Sequence, residues 1–476
     1  MELKEDQPQM HEQPGIDAYA AYLPAYGLDD NRLDAVDRPR PGRLTRSVAA
    51  FDEDPVTMAV EAMRHIPAAD PTAPAHLLLG TTSAPYEAKT SAGVVHAALG
   101  LDAAVGAVDL RGQRCGATAL DLVARSGAAA ALADLRTTRA GAPDELAQGD
   151  AAAAFVGGGT RAATLLARAG HTTEVLERWR LPGERHDRVW DERFTAEVLV
   201  AAGLDAARRA LAVAGLDTVD QVVVSSSNAR AAAVLRRTMH GSGADAEIER
   251  ATGFTGAAHP GLLLAAALDE ARPGQTILLL SATEGADAFV WRVGAEARAA
   301  RGGPSVREQL AARRTIGYGR YLHWRGLLDV QGPARPASPA PASPPMVRGS
   351  GWKYRLEGSR CDACGKITTP PARVCASCGL AATGQTTAKI SLRDTVARVV
   401  SMTRDHLTTM PEPEVVIVVA DVDGGGRLSA YATDVAPGDV AVGMPMTPTF
   451  RRLWTTDSIH NYFWKLRPWK ETTDGQ

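Results

Sequence analysis

The sequence predicts an α/β fold with helix-covered sheets, followed by a separate and smaller β-rich domain. Three observations carry this. Apolar, strand-like runs alternate with helix-like stretches through the first two thirds of the chain, in two similar halves. A Pro/Ala/Ser segment, Gln331–Pro345 (QGPARPASPAPASPP), then interrupts the alternation. Such a segment forms an extended, semi-rigid spacer and cannot continue a core. Beyond it the chain turns to short β-rich runs separated by turns.

Taken in order, residues 1–14 are polar and expected to be disordered. Gly15–Tyr26 reads as a first strand and turn. Asp54–His65 is an amphipathic helix with Asp52 or Asp54 available as its cap. Ala75–Gly80 is a strand and Thr90–Leu99 a helix. Ala104–Leu110 reads as a buried strand that breaks at Arg111-Gly112, and a helix follows over Cys115–Arg125. Ala128–Leu135 and Ala151–Val156 are further strands, and Gly157-Gly158-Gly159 is a turn, since it lacks the Lys-Ser/Thr of a phosphate loop. After a polar stretch, Arg178–Arg193, the alternation resumes: helix Phe194–Ala214, stopped by Gly215, strand Gln221–Val224, helix Ala229–Met239, helix Gly261–Ala271, strand Gln275–Leu280 and strand Phe289–Val293. Past the spacer, Val396–Thr403, Val415–Asp421, Leu428–Thr433 and Met446–Phe450, with a turn at Asp423–Gly426, suit a small β-barrel.

The 476 residues give room for two to three domains. The net charge of −3 supplies no bulk field for nucleic acid or a membrane surface. No apolar run approaches the ~18 residues of a membrane span. The start, MELKEDQPQMHEQPG, has no apolar stretch of the signal-peptide kind, so the expected location is the cytoplasm. Four of the five cysteines fall in one cluster, which argues for a reducing compartment and a metal site.

That cluster is Cys361-Asp-Ala-Cys364, ten residues, then Cys375-Ala-Ser-Cys378, with Gly365 and Gly379 after each pair. Two CxxCG knuckles make a closed tetrahedral site for a structural zinc, with no open position for catalysis. The fifth cysteine, Cys115, lies in AVDLRGQRCGATAL. A strand, tight turn and helix aim one side chain at the positive end of a helix dipole, where a thiolate is stabilised.

The C-terminal part, roughly Tyr354–Pro468, resembles the DUF35 family, a zinc ribbon followed by an OB-fold and associated with acyl-CoA. The residues that carry this are CDACGKITTPPARVCASCG, VVIVVADVDGGGRLSAYATD, VGMPMTPTFRRLW and NYFWKLRP. The N-terminal part, about Gly15–Val330, resembles the thiolase superfamily, in its 3-hydroxy-3-methylglutaryl-CoA synthase and β-ketoacyl synthase III branch. The carriers are DEDPVTMAVEAM, LLLGTTSAPYEAKTSAGVVHAALGL, the Cys115 elbow, WDERF and TGFTGAAHPGLLLAAALDEARPGQTILLLSATEGADAF. The resemblance implies a five-layer α/β/α/β/α fold, a tight homodimer, and acyl-thioester chemistry by a cysteine nucleophile with His and Asn or His partners. The expected domains are a disordered 1–14, a thiolase-like 15–330, a linker 331–350, a ribbon 351–380 and an OB-fold 381–470.

Carried over residue by residue, the family's catalytic positions are altered. Counting five on from Asp109, or back from Gly116-Ala117-Thr118, puts Arg114 at the nucleophile position and Cys115 one place late. One helical step turns a side chain by about 100°, so Cys115 would point into packing. Arg114 sets a cation against the positive helix end, which is disfavoured unless it pairs elsewhere, and it could fill the acyl tunnel. The family's His is replaced by Ser225 in Ser225-Ser226-Ser227-Asn228, where only Asn228 persists. The Asn of Gly-Asn-Thr is replaced by Phe254, whose ring can neither orient a water nor stabilise an oxyanion. The fallback is Cys115 as a shifted nucleophile with His259 or His240 as base.

These readings imply a non-catalytic scaffold that bridges to a catalytic thiolase-like protein. The resemblance extends to the non-thiolase subunits of the diacetylphloroglucinol acyltransferase complex, here joined in one chain. The alternatives are a self-sufficient acyl-CoA condensing enzyme using Cys115, or a module that binds acyl-CoA or an acyl carrier. Coenzyme A or an acyl-carrier thioester is the implied substrate, with neither nucleic acid nor membrane as partner.

Overall fold

The computed structural model describes residues 14–29, 45–67, 74–332, 335–336, 338–381 and 387–469. The disorder expected for 1–14 therefore falls, but for Pro14, outside the described residues. The chain divides into two compact units. The first holds the chain up to Ala50, Asp54–Gly93 and Asp102–Leu327; the second holds Phe51–Glu53, Val94–Leu101 and the chain from Leu328 onward.

The first unit begins with β1 (Gly15–Tyr22), β2 (Tyr26–Asp29), β3 (Thr45–Val48) and α1 (Pro55–His65). Asp54, not Asp52, caps α1: its carboxylate accepts from the Thr57 amide at 3.0 Å while the Thr57 hydroxyl accepts from the Asp54 amide at 2.8 Å. There follow β4 (His76–Gly80), α2 (Ala92–Leu99), which from Val94 on belongs to the second unit, β5 (Gly106–Leu110), α3 (Cys115–Ser126), β6 (Ala129–Asp134), β7 (Ala151–Gly157) and β8 (Ala163–Thr172). After the short pair β9 (Arg178–Trp179) and β10 (Arg188–Val189) come α4 (Glu192–Ala214), β11 (Gln221–Ser226), α5 (Ala229–Thr238), α6 (Ala244–Thr252), α7 (His259–Glu270), β12 (Thr276–Ala282) and β13 (Gly285–Val293).

Nine of these strands run in one sheet in the order β11-β12-β13-β8-β1-β7-β6-β4-β5, while β2 and β3, and β9 and β10, pair in separate small sheets. The two halves meet where β1 pairs β8, Gly15 opposite Thr164. Helix α1 covers β1, β6 and β7 on one outer face, and α4 and α5 cover β8, β11, β12 and β13 on the other. Between the halves lie α3 and α7. Their side chains, among them Leu120, Val123, Leu262 and Leu263, pack with Leu132 and Phe155 of one half and Val223, Leu279 and Trp291 of the other. This is the five-layer arrangement expected. The middle helices cross closely: a Cβ at Gly116 would lie 2.2 Å from the Ala257 carbonyl oxygen and 2.9 Å from Pro260 Cγ. The missing side chain thus holds the start of α3 against the start of α7.

The second unit opens differently from the extended spacer expected for Gln331–Pro345. Ser343, Pro344 and Pro345 already form the first turn of a helix, with proline favoured at such a start. Upstream, Ser338 and Pro339 carbonyls accept from Thr456 Oγ1 at 2.7 Å and Trp454 Nε1 at 3.3 Å. Ser338 and Pro339 therefore lie against the domain that follows them.

The first unit closes with β14 (Arg301–Gly302), α8 (Val306–Ala311), β15 (Arg314–Thr315) and α9 (Tyr318–Trp324). The second contains α10 (Ser343–Arg348), α11 (Ser350–Arg355), β16 (Glu357–Cys361), β17 (Ile367–Thr368), β18 (Thr387–Ser391), β19 (Ala397–Asp405), β20 (Val415–Val422), β21 (Arg427–Tyr431), β22 (Pro445–Thr456) and β23 (Ile459–Pro468). Strands β19–β23 make an antiparallel sheet in the order β21-β20-β19-β22-β23. It curls until its ends meet, with Ala432 bridged to Leu466 and the Thr433 amide donating to the Leu466 carbonyl at 2.9 Å. Val418, Ala420, Leu428, Met446, Phe450, Trp464 and Leu466 fill it.

Within this unit Lys465 and Arg451 are fully buried, and each finds carboxylate partners. Lys465 Nζ lies 2.8 Å from Asp52, and Arg451 pairs with Glu53 at 3.2 Å and Asp434 at 2.7 Å. Buried charges require such pairing. Burial pushes the Asp52 carboxyl up, but Lys465 and Arg451 outweigh it and hold it below the usual carboxylate range. Among the described residues, no helix is long and apolar enough to cross a membrane.

Candidate functional site

The ends of β4, β5 and β6, the turn between β12 and β13, and the loop before α7 converge on the N-terminus of α3. The hub is Asp134, the last residue of β6 and fully buried. Its Oδ1 accepts from Thr81 Oγ1 at 2.9 Å, the Thr82 amide at 2.7 Å and Ser83 Oγ at 2.8 Å. Its Oδ2 accepts from Thr82 Oγ1 and the Ala257 amide, both at 2.7 Å. A carboxylate with this many donors is stable without water. It ties the loop after β4 to the loop before α7. Gly256 makes room for it: with φ of +58°, its Cβ would lie 2.0 Å from Asp134 Oδ2.

Arg114 is the cap residue of α3 and makes no side-chain cap bond. Its guanidinium is turned toward β8 and β13. Nε and Nη2 donate to Asp287 Oδ2 at 3.0 and 2.9 Å, and Nη1 donates to Thr172 Oγ1 at 2.8 Å. The Glu284 and Ala286 carbonyls accept from Nη1 and Nη2 at 3.5 Å. All five N–H donors of the guanidinium are thereby engaged. Asp287, buried on β13, gives its other oxygen to Arg168 at 2.7 Å. Arg114 is thus a bolt between α3 and β13, and Asp287 supplies the pairing that a cation at a positive helix end requires.

Cys115 begins α3 and is 3% exposed. Burial, reinforced by Asp134, pushes its thiol well above the ordinary range, although helix amides act the other way. A thiol so placed is held in its protonated form, which is the weaker nucleophile. His259 opens α7, which packs on α3. Its Nδ1 accepts from the Thr255 amide at 3.3 Å, so the ring proton sits on Nε2, which is buried without a partner. Burial, with Arg236 adding to it, lowers the His259 pKa to about 3. The ring packs edge-on to Phe254 with centroids 4.9 Å apart. Among the described residues no hydrogen bond joins Cys115 to His259. His240, the other candidate base, is exposed after α5 with φ of 55°.

The remaining positions are held as follows. Ser225 is fully buried, with its hydroxyl unpartnered. Asn228 caps α5, accepting from the Arg230 and Ala231 amides at 3.1 Å and donating to the Glu192 carbonyl at 2.9 Å. Phe254 is held by its backbone, through Ala147 and Gly149. Ser227 donates at 2.6 Å to Glu177, a buried carboxyl whose pKa burial raises. Sequence reasoning missed Asp134, Asp287 and Glu177. The one available signal was a charged residue closing the otherwise apolar run AAALAD.

The metal site is formed as its spacing requires. The Sγ atoms of Cys361, Cys364, Cys375 and Cys378 lie within 4.8 Å of one another, with Cys361–Cys378 at 3.7 Å and Cys364–Cys375 at 3.6 Å. Tetrahedral zinc with Zn–S bonds of about 2.3 Å needs sulfurs about 3.8 Å apart, so the donor set fits zinc. Gly365 and Gly379, at φ of 70° and 73°, let each knuckle fold back, and their amides donate to the Cys361 and Cys375 carbonyls.

Residues 353–382 match the family model described as ChsH2, rubredoxin-like zinc ribbon domain. The remainder resembles a different group of proteins. A hydroxymethylglutaryl-CoA synthase of Methanopyrus kandleri is 30% identical over 339 residues, which is 65% of this chain and 96% of that protein. The chain belongs to the hydroxymethylglutaryl-CoA synthase family. The synthase of Methanothermobacter thermautotrophicus is 29% identical over 344 residues, 66% of this chain and 99% of its own length. Among solved structures, an HMG-CoA synthase complexed with CoA superposes with a TM-score of 0.55 at 16% identity, over 65% of this chain and 89% of that one. PksG, an HMG-CoA synthase from Bacillus subtilis, gives 0.54 at 17%, over 66% and 89%. This hydroxymethylglutaryl-CoA synthase family member therefore has the thiolase-like fold, with a zinc ribbon and a β-barrel appended.

Proposed function

We propose that this chain is a non-catalytic, bridging subunit of a thiolase-type assembly that makes or breaks a carbon–carbon bond beside an acyl-thioester carbonyl. One observation carries the reading: the expected nucleophile position holds Arg114, with every N–H engaged, while Cys115 beside it is sealed from solvent and has no base. The condensing chemistry of this family needs an acyl group on an activated thiol, and neither side chain can take one. The catalytic thiol then belongs to a partner, a thiolase-like chain. The ribbon and barrel offer a docking module for it and help hold the thioester arm of a CoA or acyl carrier. A second copy pairs through the thiolase-like domain, for which β5, the last strand of the sheet with Val108 38% exposed, is an available edge.

Co-expression with a thiolase-type protein tests this. The two chains are expected to co-purify, and thioester condensation or cleavage to appear only in the pair, unchanged by Cys115→Ser in this chain. Turnover by this chain alone, abolished by Cys115→Ser, would sink the proposal.

A further inference from the structure

Lys353, on α11, is held unlike any other lysine among the described residues. Helix α11 packs against β23 and β16. Trp352 meets Phe463 of β23 with ring centroids 5.3 Å apart, and Trp464 Nε1 donates to the Tyr354 carbonyl at 3.0 Å. Lys353 lies between these anchors. Its ammonium donates to Asn461 Oδ1, two residues from Phe463 on the same face of β23, and sits 5.7 Å from the centre of the Tyr354 ring. Among the described residues its only side-chain hydrogen-bond partner is therefore a neutral amide, and no carboxylate pairs with it.

The charged groups on the packed elements do not change this. Glu357 on β16 pairs with Arg355 at 2.7 Å, and Lys465 on β23 pairs with Asp52. His460 on β23 bonds to Thr455 Oγ1 at 2.7 Å. Arg348 on α10, Arg360 on β16 and Arg467 on β23 are cations and supply no counter-charge. Lys465 makes the contrast plain: it lies on β23, the strand against which α11 packs, is 1% exposed and ion-paired, and so is kept as a sealed ammonium. Lys353 is only partly buried and has lost hydration without gaining a counter-ion.

We propose that Lys353 is a nucleophilic amine and a site of N-acylation by acyl thioesters. The neutral amine attacks the thioester carbonyl carbon. The carbon–sulfur bond then breaks, the thiol leaves with the proton released from nitrogen, and an amide remains on Lys353. No oxidant or further reactant is needed. Burial supports this by lowering the Lys353 pKa from the usual 10.5 to about 8. At pH 8 about half of such a side chain is free amine, against about 0.3% for an ordinary lysine. Lower basicity reduces intrinsic nucleophilicity, and with a Brønsted slope near 0.5, taken from thiols, the net advantage is about tenfold. The proposal does not depend on whether the first unit is catalytic.

The seven lysines, Lys4, Lys89, Lys353, Lys366, Lys389, Lys465 and Lys470, make the test direct. Full-length protein is incubated at pH 8 with S-acetyl-N-acetylcysteamine, a short thioester, and acetylation of each lysine is followed by peptide mass spectrometry. Lys353 is expected to react about tenfold faster than the exposed Lys89, Lys366 and Lys389. Asn461→Asp places a carboxylate against the ammonium and is expected to bring the Lys353 rate down to theirs. A Lys353 rate no higher than that of Lys89 in the unaltered protein overturns the proposal, as does an undiminished rate in a folded Asn461→Asp variant.

Discussion

Asp134→Ala is expected to cost about 4 kcal/mol and to lower the melting temperature of the first unit by about 10 °C. The substitution removes no charge partner of comparable importance. It strips the acceptor from five donors: the hydroxyls of Thr81, Thr82 and Ser83 and the amides of Thr82 and Ala257. Each buried donor left unmatched costs about 1–3 kcal/mol, and partial rehydration keeps the sum below the simple total. Asp134→Asn should lie between, because its NH2 group faces donors where an oxygen accepted. Thermal unfolding followed by tryptophan fluorescence checks this, with Trp291 fully buried in the same core as reporter. A change of under about 1 kcal/mol for Asp134→Ala would mean that the two loops are held by something else.

Removing zinc should have the larger local effect. The ribbon has almost no apolar interior of its own: Cys361, Ile367 and Cys375 are buried, while Cys364, Cys378 and most of the intervening residues are exposed. Structural zinc contributes about 10–16 kcal/mol in such modules, which makes metal binding and folding one event. The purified chain is expected to carry one zinc by elemental analysis. Chelation, or Cys364→Ser, should render residues 353–382 sensitive to protease while the melting of the first unit stays in place. Ligand thiolates are protonated in acid, so zinc should be lost as pH falls.

Much of this was legible in the sequence because the signals were local. The elbow appears where the apolar run, the Arg111-Gly112 break and the small residues after Cys115 put it, with β5 ending at Leu110 and α3 starting at Cys115. The four-cysteine spacing sufficed for the ribbon. Strand β8 was missed because its buried positions are Ala163, Leu165, Ala167 and Ala169, so alternation is carried mostly by alanine, a weak strand former. Strand β23 was missed because the turn before it uses Asp457 and Ser458 at φ of 51° and 61°, with no Asn-Gly to announce a hairpin. The site itself was half legible. Local spacing could place Arg114 at the elbow, yet its partner Asp287 is 173 residues away, and Asp134 reaches Ala257 across 123. A buried carboxylate whose donors arrive from distant loops leaves no pattern along the chain.

The most direct measurement is chemical capture on the chain by itself. The protein is incubated with acetyl-CoA, quenched in acid, digested and mapped, with half of each sample treated with hydroxylamine to cleave thioesters and spare amides. The expected result is no hydroxylamine-labile acyl group on Cys115, because burial keeps its thiol protonated. A labile acyl group on Cys115, formed at a rate that saturates with acetyl-CoA and absent from Cys115→Ser, would contradict the account and make this chain a condensing enzyme in its own right.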